Sequence, residues 1–481
     1  MARRGGAKGA PNPRRVTALR YVSTRGEAPE LGFEDVLLTG LARDGGLYVP
    51  ATWPELSSRE MTHLQGRSYE DIAFTVMHPF IGGAVPEADL RRMIAEACAS
   101  FGHPAVAPLK QLDDNQWLLE LFHGPTLAFK DVAMQLLARL MDWALAKRRT
   151  RATIVGATSG DTGGAAIEAF KSSHHATVFM MHPHGRVSDV QRRQMTTVDS
   201  PSVHNIAIEG NFDDCQAIVK ALFNDLAFRD KVGLAGVNSI NWARIMAQTV
   251  YYVTAALSLG APGRAVSFSV PTGNFGDIFA GFVAKRMGLP IDRLLIATNV
   301  NDILDRTLKT GHYEQRGVKA STSPSMDIQI SSNFERLLFE VYGRDPYAVR
   351  HLMASLAQSG SFTIGNRELD QIRHEFSSGA TDEAETALTI RETLAGTGEL
   401  LDPHTAVGYA VARKADASAS PMVTLATAHP AKFPDAVEKA CGVRPGLPPR
   451  LGGLLAAKER FTVLPNDVGR VRDFILSQQQ A

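Results

Sequence analysis

Cysteine is scarce. The 481 residues contain three, Cys98, Cys215 and Cys441, far apart and without metal-like spacing. So small and odd a count argues against a disulfide framework and leads us to expect a reducing, cytoplasmic setting and no metal site. Each thiol reads as a small apolar filler. Excess charge is missing too: 51 Lys and Arg against 50 Asp and Glu leave a formal net charge of +1. That removes any global attraction to nucleic acid or to an acidic membrane. No uninterrupted apolar run is long enough to span a bilayer, and no signal-peptide pattern is read at the start. Internal repeats and coiled-coil heptads are also lacking. Two nucleotide fingerprints, G-x-x-x-x-G-K-[ST] and G-x-G-x-x-G, do not occur at the glycine-rich turns, which argues against an ATPase or a dinucleotide dehydrogenase.

What remains is ordinary globular composition, 44% hydrophobic and 21% charged, in a chain long enough for two or three domains. Residues 1–18 read as a flexible basic tail with nothing to bury. Over 19–105 we expect a small N-terminal domain: a strand at Leu19–Gly26, a helix at Phe33–Leu41, a turn and strand at Asp44–Pro50, and two amphipathic helices between Ser68 and Ser100. From about Pro108 strands alternate with helices, the pattern of α/β layers around a parallel sheet. Strands are expected at 153–155, 176–181, 202–208, 265–270, 294–298 and 422–426. Helices are expected at 164–172, 212–228 with Asn211 as N-cap, 241–257, 277–287 and 434–440.

The chain is organised around Glu120-Leu-Phe-His-Gly-Pro-Thr-Leu-Ala-Phe-Lys130-Asp131. Lys130 ends a Gly/Pro turn and opens an apolar run with helical periodicity. An isolated lysine at a helix start is ordinarily solvated. Wedged against Phe122 and Phe129, however, its amine would lose part of its affinity for a proton, which suits Schiff-base chemistry.

Two strand-turn-helix junctions accompany it. Gly156-Ala-Thr158-Ser159-Gly-Asp161-Thr162-Gly-Gly164 combines glycines, which admit a close ligand, with hydroxyl donors at a helix start. Val270-Pro-Thr-Gly273-Asn274-Phe275-Gly-Asp277-Ile278 follows an apolar strand and has the form of a phosphate cradle. On glycine count alone the first is equally a plain connection. Two phosphate-sized turns beside one amine suggest a phosphorylated cofactor and a phosphorylated substrate. Asn238-Ser-Ile-Asn241-Trp242-Ala-Arg244 offers either a bidentate anion site or an N-cap with a solvated arginine. In Leu425-Ala-Thr427-Ala-His429-Pro-Ala-Lys432-Phe433, Thr427 ends a strand where ligands of open sheets collect. His429 and Lys432 read as helix-start residues.

With these residues in view, the chain from Tyr21 to beyond Ala440 resembles the threonine synthase family, among the pyridoxal-phosphate enzymes built like the tryptophan synthase β subunit. The resemblance is carried by Tyr21–Gly26, His123–Asp131, Ala157–Gly163, Pro271–Asp277, Ser323–Ile328, Asp402–Gly408 and Thr427–Phe433. It implies two α/β domains of that fold with an additional N-terminal domain. The large domain is expected over 106–141 and 233–481, and the small one over 142–232, closing over substrate.

By the same resemblance Lys130 carries pyridoxal 5'-phosphate as a Schiff base, and Gly273, Asn274, Phe275 and Asp277 form the cradle for its phosphate. Thr427 faces the ring nitrogen, and Asp161 stands where many relatives place Asn beside the 3'-oxygen. An ionised Asp there can only accept. Thr158, Ser159, Thr162, Asn238 and Arg244 are implied for the substrate, although Trp242 replaces a usual Pro within that segment. The implied reaction converts O-phospho-L-homoserine and water to L-threonine and phosphate in a monomer or homodimer. Two alternatives stay open: a phospho-lyase giving 2-oxobutyrate, and a non-catalytic pyridoxal-phosphate-binding homologue.

Overall fold

The computed structural model describes residues 19–415 and 419–479. The tail expected over 1–18 lies outside the described residues. The N-terminal unit begins with β1 (Tyr21–Ser23), α1 (Phe33–Thr39) and β2 (Tyr48–Pro50), and the two strands pair antiparallel. A helix not anticipated from the sequence follows, α2 (Ser58–Leu64), started by a reciprocal capping box between Ser57 and Glu60. The expected helical pair is α3 (Tyr69–Ile81), capped by Ser68, and α4 (Glu87–Cys98).

The alternating region opens with β3 (Leu109–Asp113), β4 (Gln116–Glu120) and α5 (Lys130–Arg148). It continues through β5 (Ala152–Ala157), α6 (Asp161–Phe170), β6 (Ala176–Pro183), α7 (Asp189–Thr196) and β7 (Val203–Glu209). The single helix expected over 212–228 is two, α8 (Phe212–Asn224) and α9 (Leu226–Val232). Asp225 leaves helical geometry at ψ 90° and its carboxylate caps the N–H of Phe228, so a side chain suited to capping ends one helix and starts the next. Asn211 caps α8 as expected, with Asp214 completing the box.

After β8 (Leu234–Ala235) come α10 (Trp242–Ser258), β9 (Val266–Pro271), α11 (Gly276–Arg286) and β10 (Ile291–Thr298). The next stretch holds α12 (Ile303–Thr310), β11 (His312–Glu314), α13 (Phe334–Val341), α14 (Pro346–Ser359), β12 (Ser361–Thr363), α15 (Asn366–Glu375) and β13 (Phe376–Ala380). The chain finishes with α16 (Glu383–Thr397), α17 (Pro403–Lys414), β14 (Met422–Ala426), α18 (Pro434–Cys441), β15 (Thr462–Pro465) and α19 (Val468–Gln479).

Two larger sheets organise these elements. One has six strands in the order β13-β10-β9-β14-β4-β3, parallel except for the β3–β4 hairpin at its edge. The other has five parallel strands in the order β15-β7-β6-β5-β8. The expected 142–232 span for the smaller unit needs correction at both ends. Asp142 falls inside α5, which runs unbroken to Arg148. At the other end β8 and β15 join the small sheet, and Val471 and Ile475 of α19 pack into its core with Ile206, Ile208 and Cys215. A mostly polar C-terminal segment therefore completes a sheet laid down some 250 residues earlier, because its few apolar side chains find an otherwise open edge and face.

Trp242, the departure noted above, is fully buried where the N-terminal unit meets α10. Its ring lies 5.7–6.1 Å from those of Phe80, Tyr21 and Trp53. A proline could not supply that aromatic surface. A second tie runs from Thr24 and Arg25 to the carboxylate of Glu335 on α13, at 2.6 Å and 2.9–3.1 Å.

Candidate active site

Three turns at the carboxyl ends of parallel strands converge: the one after β5, the one after β9 and the one after β14. The lysine loop is pinned among them. Phe129 donates its N–H to the carbonyl of Thr427 at 2.8 Å, and His429 donates to Leu127 at 3.0 Å. Asp131 closes the loop from within, its carboxylate accepting the N–H and the hydroxyl of Thr126, each at 2.8 Å. Gly124 has to be glycine here, since a Cβ would stand 2.5 Å from Asp131 Oδ2. These bonds deliver Lys130 to the first position of α5 with its side chain buried, as the turn-then-helix pattern led us to expect.

Lys130 Nζ donates to Asp161 Oδ2 at 3.2 Å and to Ser325 Oγ at 3.4 Å, and lies 4.8 Å from the centre of the Phe129 ring. Burial lowers its proton affinity below that of an ordinary lysine. Asp161 pulls the other way, while Lys432 and Arg244 add to the lowering. Burial by itself would raise the carboxyl of Asp161, yet the ammoniums of Lys130 and Lys432 hold it well below the usual carboxylate range. The pair thus couples a firm anion to an amine that gives up its proton readily.

Ser325 joins the two glycine turns. Its hydroxyl donates to Asp161 Oδ2 at 3.1 Å, and its carbonyl lies 2.7 Å from where a Cβ on Gly273 would stand. The cradle turn is braced by Ser331, whose hydroxyl donates to the Gly273 carbonyl at 2.7 Å, and by Asn333, which donates twice to the Asn274 carbonyl. Asn274 itself is exposed. Phe275 takes φ 62° and turns its ring into the core against Phe334 and Phe376, so what it offers a ligand is backbone. Asp277 is buried, and its Oδ1 accepts from Tyr251 and, at 3.0 Å, from Tyr252. Its Oδ2 has no hydrogen-bond partner among the described residues.

On the β5 side, Thr158 Oγ1 accepts the N–H groups of Gly160 and Gly163, both at 2.9 Å, which folds the turn and leaves the hydroxyl proton available to donate. Ser159 and Thr162 are half-buried beside it. Arg244 is buried in the first turn of α10. It spends one donor on the Val237 carbonyl at 3.2 Å, and its Nε has no partner among the described residues. Burial pushes its guanidinium down to about 10. Asn238 is exposed nearby, and Thr427 is buried at the end of β14.

Several participants carried no assigned role from the sequence. Lys432, read as a helix-start residue, is fully buried and lies 3.1 Å from Asp161 Oδ1, because the 3-10 turn Pro430–Lys432 directs it inward. Gln191 of α7 donates to the same oxygen at 2.9 Å. Asp402 and His404 position Ser325 from behind. Only Asp402-Pro403, an N-cap followed by a first-turn proline, gave a local signal. Among the described residues no group of three or more His, Cys, Asp or Glu is arranged to hold a metal, and no helix is long and apolar enough to cross a membrane.

The donor set fits a phosphorylated carbonyl cofactor and a phosphorylated substrate: a buried amine of reduced proton affinity, a turn too tight for any Cβ, and an unpartnered buried donor at Arg244 Nε. Comparison with known proteins agrees. The pyridoxal-phosphate dependent enzyme model matches residues 101–428, the threonine synthase N-terminus model 20–98 and the threonine synthase C-terminal model 405–475. The threonine synthase of Pseudomonas aeruginosa is 55% identical over 459 residues, spanning 95% of this chain and 98% of its own length. The crystal structure of the PLP-bound threonine synthase from Brucella melitensis superposes with a TM-score of 0.95 at 63% identity, over 96% of this chain and 100% of that one. The yeast threonine synthase structure gives 0.92 at 38% identity, over 96% and 99%. The chain is a pyridoxal-phosphate-dependent enzyme and belongs to the threonine synthase family.

Proposed function

We propose that the enzyme converts O-phospho-L-homoserine and water to L-threonine and phosphate, with Lys130 as the residue that holds the cofactor. The observation that carries this reading is the buried Lys130 amine, tied to Asp161 on one glycine turn and through Ser325 to Gly273 on the other. When bound, pyridoxal phosphate supplies a carbonyl that condenses with amines and a conjugated ring that takes up the charge left by a departing proton.

The chain's own groups do the rest. Gly273, Asn274 and Phe275 present backbone to the cofactor phosphate, with Asp277 behind them. Thr427 meets the ring nitrogen with a neutral hydroxyl, which leaves the ring a milder electron sink than a carboxylate partner would. Asp161, held as an anion, accepts from the cofactor's 3'-oxygen side and orients Lys130. Thr158, Ser159, Thr162, Asn238 and Arg244 take the substrate's phosphate, and the unpartnered Arg244 Nε is the buried donor that such an anion would satisfy. Lys130 Nζ, already disposed to lose its proton, serves as general base at the substrate's α and then β carbon. Phosphate leaves from the γ carbon, the two abstracted protons return to the γ and α carbons, and water adds its hydroxyl at the β carbon while its remaining proton goes to the released phosphate. The small sheet closes over the substrate during turnover. The free thiols Cys98, Cys215 and Cys441 fit a reducing cytoplasm, where the chain would act as a monomer or homodimer.

Borohydride trapping of the cofactor-loaded protein, followed by peptide mapping, is expected to place the label on Lys130. Incubation with phosphohomoserine is expected to yield threonine. Formation of 2-oxobutyrate instead would make the enzyme a phospho-lyase on the same scaffold, and a loaded protein without turnover would make it a cofactor carrier.

A further inference from the structure

Lys432 is the least exposed cation in the site, and its ammonium sits among three fixed oxygens, hydrogen-bonded to two of them and ion-paired with the third. Nζ lies 2.6 Å from the Thr126 carbonyl, 2.9 Å from Gln194 Oε1 and 3.1 Å from Asp161 Oδ1. Gln194 also donates to the Thr126 carbonyl at 3.0 Å, which closes the ring of contacts. The ammonium therefore joins the lysine loop, α6 and α7 to the turn after β14. It is fully buried and tied to two fixed acceptors, so it is not placed to stand in for Lys130 as an amine.

The carboxylate of Asp161 is divided between two cations. Oδ2 faces Lys130 and Ser325, whereas Oδ1 faces Lys432 and Gln191. When Lys130 becomes neutral or is engaged covalently, the Oδ2 side loses its cation. A buried carboxylate left alone would take up a proton and become a donor. A second ammonium already bound at Oδ1 prevents this. We propose that Lys432 is a positioning residue, a resident counter-ion that keeps Asp161 charged and its Oδ2 aimed at Lys130 throughout the proton traffic of the reaction. The proposal rests on the assignment of Lys130 as the amine that holds the cofactor.

The other charged or titratable groups facing this pair are Asp131 on α5, which feels the charge of Lys432, Arg244 on α10, Asp277 on α11 and His404 on α17. None touches Oδ1 of Asp161, so Lys432 has no replacement there among the described residues.

The test is a pH titration of the visible absorption of the cofactor-loaded protein, paired with pH-dependent acylation of Lys130 in the apoprotein read by peptide mass spectrometry. Lys432→Gln keeps an N–H donor and removes the charge. The expected result is an upward shift of both midpoints on the order of one pH unit, since losing a proton would then leave Asp161 unneutralised. Lys432→Arg keeps the charge and holds the parent midpoints. A purely structural lysine would lower the melting temperature of Lys432→Gln and leave both midpoints in place, and that result overturns the proposal. Should Lys432→Gln fail to fold, Asp161→Asn gives the complementary reading: two ammoniums then face each other, and the midpoints fall. Unchanged midpoints in Asp161→Asn overturn the proposal equally. Borohydride label away from Lys130 overturns the underlying assignment, whereas label on Lys130 with unmoved midpoints overturns the role of Lys432 alone.

Discussion

Asp402 accepts the Nδ1 proton of His404 at 2.7 Å, and this bond fixes the tautomer of a fully enclosed imidazole. Nε2 is thereby left to accept the backbone N–H of Ser325 at 3.2 Å. Asp402 also caps α17 through the N–H groups of His404 and Thr405, each at 3.0 Å. Removing this carboxylate loses a cap and frees the support behind Ser325. Asp402→Ala is expected to cost about 2 kcal/mol of stability. Cofactor retention, followed by visible absorption during dialysis, falls with it.

Gly273→Ala tests the tightness of the cradle. The added Cβ would meet the Ser325 carbonyl at 2.7 Å, and that atom is backbone in a braced loop. Displacing it costs about 1–3 kcal/mol, which is about 5- to 150-fold in cofactor affinity. Spectroscopic titration with pyridoxal phosphate measures the loss, and a far-ultraviolet spectrum like that of the parent shows that the fold persists.

The Asp277 carboxyl gives a pH signature. Burial lifts it from 3.8 to about 6, although Tyr251 and Tyr252 pull it down through their hydrogen bonds. The native state therefore holds this proton over a range in which the unfolded chain has lost it. Stability from this group is full below about pH 4, declines as pH rises, and levels off above about 6, a loss of about 3 kcal/mol. Asp277→Asn removes the titration, so its melting temperature should gain on the parent across that interval. Asp131, also lifted to about 6 by burial, is common to both proteins and cancels in the difference.

Trp242→Ala should cost about 3–5 kcal/mol, the range for emptying a buried indole site. Its neighbours Tyr21, Phe80 and Trp53 belong to the N-terminal unit, so urea unfolding is expected to show an early transition in that unit.

Much of this site was legible because its chemistry sits where local signals change. A Gly/Pro turn followed by helical apolar periodicity marked Lys130, and glycine with small hydroxyl residues after apolar strands marked the two turns. The rest depended on partners distant in the chain. Nothing adjacent to Lys432 says that Asp161 and Gln194 enclose it, and Ser325 gains its position from His404, 79 residues away. In the fold, the break at Asp225 was hidden because the same apolar periodicity continues through α9, where Phe228 and Val232 are buried. β15 was hidden because an edge strand with an intermediate-exposed alternation carries little pattern of its own.

The return of β15 and α19 to the small sheet has a mechanical consequence. The backbone passes between the two large sheets after α5, after β8 and again before β15, so the smaller body hangs from three tethers. Three attachment points resist free rotation about any single pivot and channel motion into a restricted rocking path. Clipping the final twenty residues would sever the third tether and strip the cover from the Ile206–Cys215 region, turning a guided movement into a loose one.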